Sequence, residues 1–169
     1  CKDRYHNYWR IDKRNQPSSN IVVVNSTEGN AISLKQYGKQ WKDPAAEYWP
    51  DIVNRLQKQY SVVVVDYRTP LHDMINLLRK AKGFVGYHGT AAWVARFVHT
   101  PSVLFADGGS LTRNAFFYAD IHKTVDRYQQ VIDNLDQHLH KSQQLIDKAL
   151  QDYVLYKPSA EFINHLQQE

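Results

Sequence analysis

Two unbroken runs of β-branched residues, Ile21-Val22-Val23-Val24 and Val62-Val63-Val64-Val65, constrain the fold most strongly. A strand with one wet face alternates apolar and polar residues. A run without alternation predicts a strand covered on both faces, as in a parallel sheet. Gly83-Phe84-Val85-Gly86 and Ser102-Val103-Leu104-Phe105 read as two further strands. Helical spacing fills the intervals. Ile52, Val53 and Leu56 share one face, and so do Leu71, Met74, Ile75 and Leu78 within Pro70–Ala81, while Thr90–Val98 forms a third helix. The first helix starts either at Asp43-Pro44 or afresh at Trp49-Pro50, because proline inside a helix costs about 3 kcal/mol. Strand and helix therefore alternate, which is the order of a Rossmann-like α/β domain. The expected fold is a parallel sheet of about four or more strands with flanking helices over residues 21–122. Residues 1–20 read as a loosely ordered lead-in with one short element around Tyr5–Arg10.

From Lys123 the period changes. Tyr128, Ile132, Leu135, Leu139, Ser142, Ile146, Ala149 and Tyr153 recur at alternating spacings of four and three, a heptad seam interrupted by Ser142. Residues 123–169 are thus expected to form a C-terminal helical extension. It is one long helix or two with a bend near His138–Ser142, followed by a short helix from Ser159 to about Gln167. The plainer reading packs this seam against the chain's own domain. The sharper one makes it a dimerising or domain-bridging helix, and so a route to a homo-oligomer.

Composition narrows the classes. The chain has 169 residues, 43% of them hydrophobic and 22% charged, which suits one soluble globular domain. No apolar run approaches the roughly 20 residues needed to span a bilayer, and no secretory signal is visible. Cys1 is the only cysteine, so a disulfide framework or cysteine zinc site within the chain is not expected. A cytoplasmic setting is the expectation. Because the first residue is cysteine, the chain also reads as a piece of a longer one. Residues 1–123 hold 17 Lys and Arg against 10 Asp and Glu, whereas residues 124–169 hold 4 against 7. A basic body suits an anionic ligand. Its charges are scattered and carry no nucleic-acid signature, so no nucleic-acid partner is expected. The eight histidines lack any metal-ligand spacing, and no metal or cofactor is expected. Nucleophile-elbow, P-loop and dinucleotide glycine motifs are missing too, which disfavours hydrolase, P-loop NTPase and nicotinamide-dehydrogenase chemistry.

The stretch from Lys82 to Ala95 carries the sharpest functional signal. A short strand ends in Gly86, a Tyr87-His88-Gly89-Thr90 turn follows, and a helix of small residues begins at once. The first turn of a helix has unpaired N–H donors and the positive end of the dipole, so such a turn can hold an anion. Gly89 lacks a Cβ and would let a phosphate approach the backbone, while Thr90 offers a hydroxyl. A plain strand-to-helix turn is the alternative. The carboxyl ends of the four strands carry Asn25-Ser26-Thr27, Asp66-Tyr67-Arg68, Tyr87-His88-Gly89 and Ala106-Asp107-Gly108-Gly109, all polar or glycine-bearing. In open parallel sheets ligands bind at that edge.

From Ile21 to Phe105 the chain resembles the carboxyl-terminal, donor-binding half of GT-B-type glycosyltransferases. The nearest pattern is the ADP-heptose:lipopolysaccharide heptosyltransferase family, glycosyltransferase family 9. The similarity rests on Asn25-Ser26-Thr27 with Lys39-Gln40-Trp41, on Thr69-Pro70-Leu71, and on Gly83 through Ala95 followed by His99-Thr100-Pro101-Ser102-Val103. That family's turn typically reads Asp-Ser-Gly-Pro-x-His. This chain has Tyr87, His88, Gly89, Thr90, Ala91 and Ala92 instead, closer to the His-Gly-Thr turns of other GT-B-type transferases. The resemblance implies a nucleotide-diphosphate sugar as donor, transferred without a metal to a sugar-containing acceptor. It also implies that the acceptor-binding half of such an enzyme lies outside this sequence.

On that reading the backbone N–H groups of Gly89, Thr90 and Ala91 cradle the diphosphate, with hydroxyls from Ser26 and Thr27. Lys39 supplies a cation, and His88 donates to phosphate or sugar. Tyr67 and Arg68 flank the nucleoside, and Asp107 accepts from a ribose hydroxyl. The alternative from another class is a non-catalytic module of the same fold that binds a nucleotide or sugar phosphate, or serves assembly only.

Overall fold

A computed structural model of the chain describes residues 15–25, 48–87, 89–105, 118–120 and 125–155. Five strands, β1 (Ile21–Asn25), β2 (Ser61–Val65), β3 (Gly83–Tyr87), β4 (Ser102–Phe105) and β5 (Tyr118–Asp120), form one sheet in the order β2-β1-β3-β4-β5. Every neighbouring pair is parallel. The helices are α1 (Trp49–Leu56), α2 (Leu71–Lys80), α3 (Thr90–Phe97), α4 (Val125–Asp133) and α5 (Leu135–Leu155). This is the Rossmann-like arrangement with a C-terminal helix that the sequence pattern predicts. Among the described residues no helix is long and apolar enough to cross a membrane.

Because strand side chains alternate, β1, β3 and β4 each feed two cores. Val22, Val24, Val85, Val103 and Phe105 face α1, α4 and the start of α5. Val23, Val65, Phe84 and Leu104 face α2 and α3. The chain thus leaves β1 over one face and leaves β2 and β3 over the other. That reversal makes the carboxyl ends of β1 and β3 the switch point of the sheet.

The element boundaries have local causes. The first helix runs from Trp49 with Pro50 in its first turn, where the missing N–H does no harm; Asp43-Pro44 lies outside the described residues. β2 is not covered on both faces. It is the sheet's edge, so Val62 and Val63 are half-buried and Val64 is exposed despite the unbroken valine run. The C-terminal helices break at Asn134, several residues before the bend expected near His138. Asn134 Nδ2 turns back to donate to the Gln130 carbonyl at 2.9 Å, while its own carbonyl accepts from His138 N–H.

The heptad seam packs on the chain's own sheet: Tyr128, Ile132, Leu135, Leu139, Ser142 and Ile146 are all buried. Ser142, the polar break in the seam, accepts a hydrogen bond at 2.9 Å from the Ser102 N–H at the start of β4. The side chains of Ala149 and Tyr153, the segment Tyr5–Arg10 and the helix expected from Ser159 lie outside the described residues. Residues 15–20, expected to be loose, are bound to the sheet's other layer. Asn15 Nδ2 lies within hydrogen-bonding reach of the Leu78, Arg79 and Ala81 carbonyls, and its own N–H bonds Val98 O at 2.6 Å. Those α2 carbonyls have no partner within the helix, so Asn15 acts as its carboxyl-terminal cap.

Candidate functional site

A crevice of about 380 Å³ opens at the carboxyl edge of the sheet on the α2–α3 side. That volume lies within the range of small-molecule sites. Its floor is Asn25 and Tyr87, the last residues of β1 and β3. Leu71 and Met74 of α2 form an apolar wall, and Gly89, Thr90 and Ala91 at the start of α3 form the opposite one. β1 and β3 are paired, with Asn25 opposite Gly86, so their carboxyl ends lie side by side. A Cβ on Gly86 would meet the Phe84 ring at 2.5 Å and the Asn25 Cβ at 3.2 Å. Glycine is therefore required there to pass the Phe84 ring beneath the crevice.

Gly89 is different. It is the N-cap of α3, with φ of −163° and ψ of −165°, an extended backbone that other residues also adopt. An added Cβ would rest 3.5 Å from the Tyr87 ring, an ordinary contact. Neither backbone strain nor packing demands glycine, so the effect of its missing side chain is to leave the helix end open to the crevice. The Gly89 carbonyl accepts the first helical bond, from Trp93 N–H at 3.2 Å. The N–H groups of the first turn point away from the helix and have no intrahelical acceptors. α1 carries Asp51 in its first turn and α2 carries Asp73, but α3 has no acidic residue there. Of these three helices, α3 alone leaves its positive end without a carboxylate of its own.

The loop after β2 is a tight turn. Asp66 N–H donates to Thr69 Oγ1 at 3.1 Å, and Asp66 Oδ1 accepts from Arg68 N–H at 2.7 Å. Arg68 Nε lies 3.4 Å from Asp66 Oδ2, and its guanidinium sits 5.2 Å from the centre of the Tyr67 ring. The Asp66 carboxylate is thereby compensated within its own loop. Tyr67, 53% exposed, and Leu71, 57% exposed, flank the crevice mouth and offer apolar surface to a ligand.

Of the residues expected from sequence, Tyr67, Gly89, Thr90 and Ala91 line one crevice. Arg68 is reached through its stacking on Tyr67 and not as a lining residue. Ser26, Thr27, Lys39, His88 and Asp107 lie outside the described residues. The sequence reading gave no site role to Asn25, Thr69 and Met74, which line the crevice as well. The signal for Asn25 was present: a carboxamide ends an otherwise apolar β-branched run. Among the described residues no cluster of three His, Cys, Asp or Glu side chains could hold a metal. No protein-family model matches the sequence, and no curated protein matches it.

Proposed function

We propose that the chain binds a nucleotide-diphosphate sugar in this crevice and serves as a glycosyltransferase, or as the donor-binding half of one. The observation that carries the reading is the uncompensated amino end of α3, which opens past a residue with no Cβ onto a crevice at the switch point. The N–H groups of Thr90 and Ala91 and the Thr90 hydroxyl bind the diphosphate. Tyr67 and Leu71 hold the nucleoside. As the glycosidic bond breaks, negative charge gathers on the leaving phosphate oxygens, and donors already in place lower that barrier. The helix end supplies the positive potential that a metal supplies elsewhere. Ser26, Thr27, Lys39, His88 and Asp107 complete the site in this proposal, and the acceptor is a sugar-containing molecule. A cytoplasmic, disulfide-free setting goes with the reading.

One observation favours the second reading, a binding module without catalysis. Asp66, the carboxylate lining the crevice, is held by Arg68 and by a backbone N–H, so it is poorly placed to act as a base. Thermal melts with UDP-, GDP-, ADP- and CMP-linked sugars test binding. A ligand at 100 times its Kd adds about 2.7 kcal/mol, a rise in Tm of several degrees. If no donor raises Tm, the glycosyltransferase reading fails and the non-catalytic one is left, as a sugar-phosphate or assembly module. If one does, release of nucleotide from it in the presence of sugar acceptors separates the enzyme from the binder.

A further inference from the structure

Asn25 ends β1 with its side chain on the same face as Val23, over the core shared by α2 and α3. Gly86 is its neighbour across the ladder and adds no side chain of its own, the space above it being taken by the edge of the Phe84 ring. The residue is only 7% exposed, and it lines the crevice. A carboxamide carries two N–H donors and a carbonyl acceptor. Among the described residues, no side-chain hydrogen bond joins Asn25. Its polar atoms are not among the enclosed unpartnered ones of the described residues, so the amide opens into the crevice beside the helix end, where a ligand can meet it.

We propose that Asn25 is a ligand-binding residue whose Nδ2–H group donates to an anionic oxygen of the diphosphate held at the start of α3. The inference rests on the phosphate reading of the crevice and adds the group that senses the ligand's charge. Residue type matters here because aspartate has nearly the same shape. Aspartate at this position would set a fixed negative charge near the Thr90 and Ala91 N–H groups and take the ligand's place electrostatically. Asparagine leaves the positive potential of the helix end to an incoming anion while still offering a donor. The neighbouring acid, Asp66, is compensated by Arg68, so the crevice floor keeps no free negative charge among its described residues.

The test is calorimetric titration of UDP, GDP, ADP and CDP, with inorganic pyrophosphate as a base-free probe, into the wild-type chain and Asn25→Asp. Circular dichroism melts establish that the variant is folded. Asn25→Asp is expected to lower affinity for pyrophosphate and for the preferred nucleotide alike by about tenfold or more, the scale of one charge-assisted hydrogen bond. A second readout needs no variant: the Asn25 side-chain amide resonances of the wild-type chain shift when pyrophosphate is added. Unchanged affinity in a folded Asn25→Asp, or Asn25 resonances that stay in place while ligand binds, overturns the role of Asn25 and leaves the phosphate reading standing. Failure of the wild-type chain to bind any of the five ligands overturns both.

Discussion

The two faces of the sheet are built from different materials. On the side of α1, α4 and α5 the core contains Trp49, Tyr60 and Tyr128, and charged groups fasten the helices at its rim. Tyr60 donates to Asp136 at 2.6 Å, Tyr128 donates to Asp51, and Arg55 bridges Asp51 at 2.8 Å and Asp133 at 3.0 Å. On the side of α2 and α3 the core has a single aromatic ring, Phe84, and small residues on α3, with Ala91, Ala92 and Ala95 letting that helix lie close to the sheet. The contrast extends to the helix ends. The amino end of α1 has Asp51, itself held by Tyr128 and Arg55, so its dipole is satisfied within the fold. The amino end of α3 has nothing comparable. One face is a buttress that completes its own electrostatics, and the other leaves the amino end of α3 without a carboxylate in its first turn.

That contrast implies opposite sensitivities. The buttress should fail on truncation. Trp49 is 1% exposed and meets the Phe105 ring edge-on at 5.6 Å, so Trp49→Ala is expected to cost about 3–5 kcal/mol in denaturant unfolding. The small-residue face should fail on enlargement. Ala95 is fully buried, and Ala95→Leu is expected to cost about 1–3 kcal/mol, with loss of ligand binding as α3 is lifted. If Ala95→Leu were neutral, the close approach of α3 to the sheet would not be what shapes the crevice.

The pH dependence should belong to the buttress and be the smallest of these effects, since its groups are partly exposed. The Tyr128 hydroxyl, then Arg55, holds the Asp51 carboxyl below its ordinary 3.8, and the Tyr60 hydroxyl does the same for Asp136. Their contribution is present above that value and is lost as pH falls through the lowered native values. Burial, reinforced by the acidic partners, pushes the Tyr60 and Tyr128 hydroxyls above 10.0. Their contribution is present below pH 10 and is lost as pH rises beyond it. Tm is therefore expected to fall below about pH 4 and above about pH 10. The pair Tyr60→Phe with Asp136→Asn should blunt both falls, and Ala95→Leu should blunt neither.

The parts of the fold legible in the sequence were those with a strong period. The valine runs, the apolar stripe of α2 and the seam from Tyr128 to Ile146 each declare which face is buried. Position within the sheet was not legible. Val62–Val65 reads like Ile21–Val24, yet one run forms the edge and the other lies inside, because strand order is decided by the crossovers and not by the strand. β5, three residues without a β-branched run, gave no signal at all. Ser142 looked like a flaw in the seam, and only the position of β4 shows that its hydroxyl satisfies the Ser102 N–H. The turn around Gly89 was legible as a candidate site because glycine, threonine and two alanines at a strand-to-helix junction leave backbone donors bare. Asn25 was less so, since a strand-terminal amide gains meaning only once Gly86 is known to lie beside it.

Calorimetry of Gly89→Ala against the wild-type chain, using the best-binding nucleoside diphosphate, tests the open helix end most directly. The added methyl group meets only the Tyr87 ring at ordinary distance, and alanine at an N-cap costs no more than about 1 kcal/mol. The variant is therefore expected to stay folded with Tm close to wild type while affinity falls by about tenfold or more, as the diphosphate is held off the Thr90 and Ala91 N–H groups. Equal affinity in the two folded proteins would contradict a phosphate site at the start of α3.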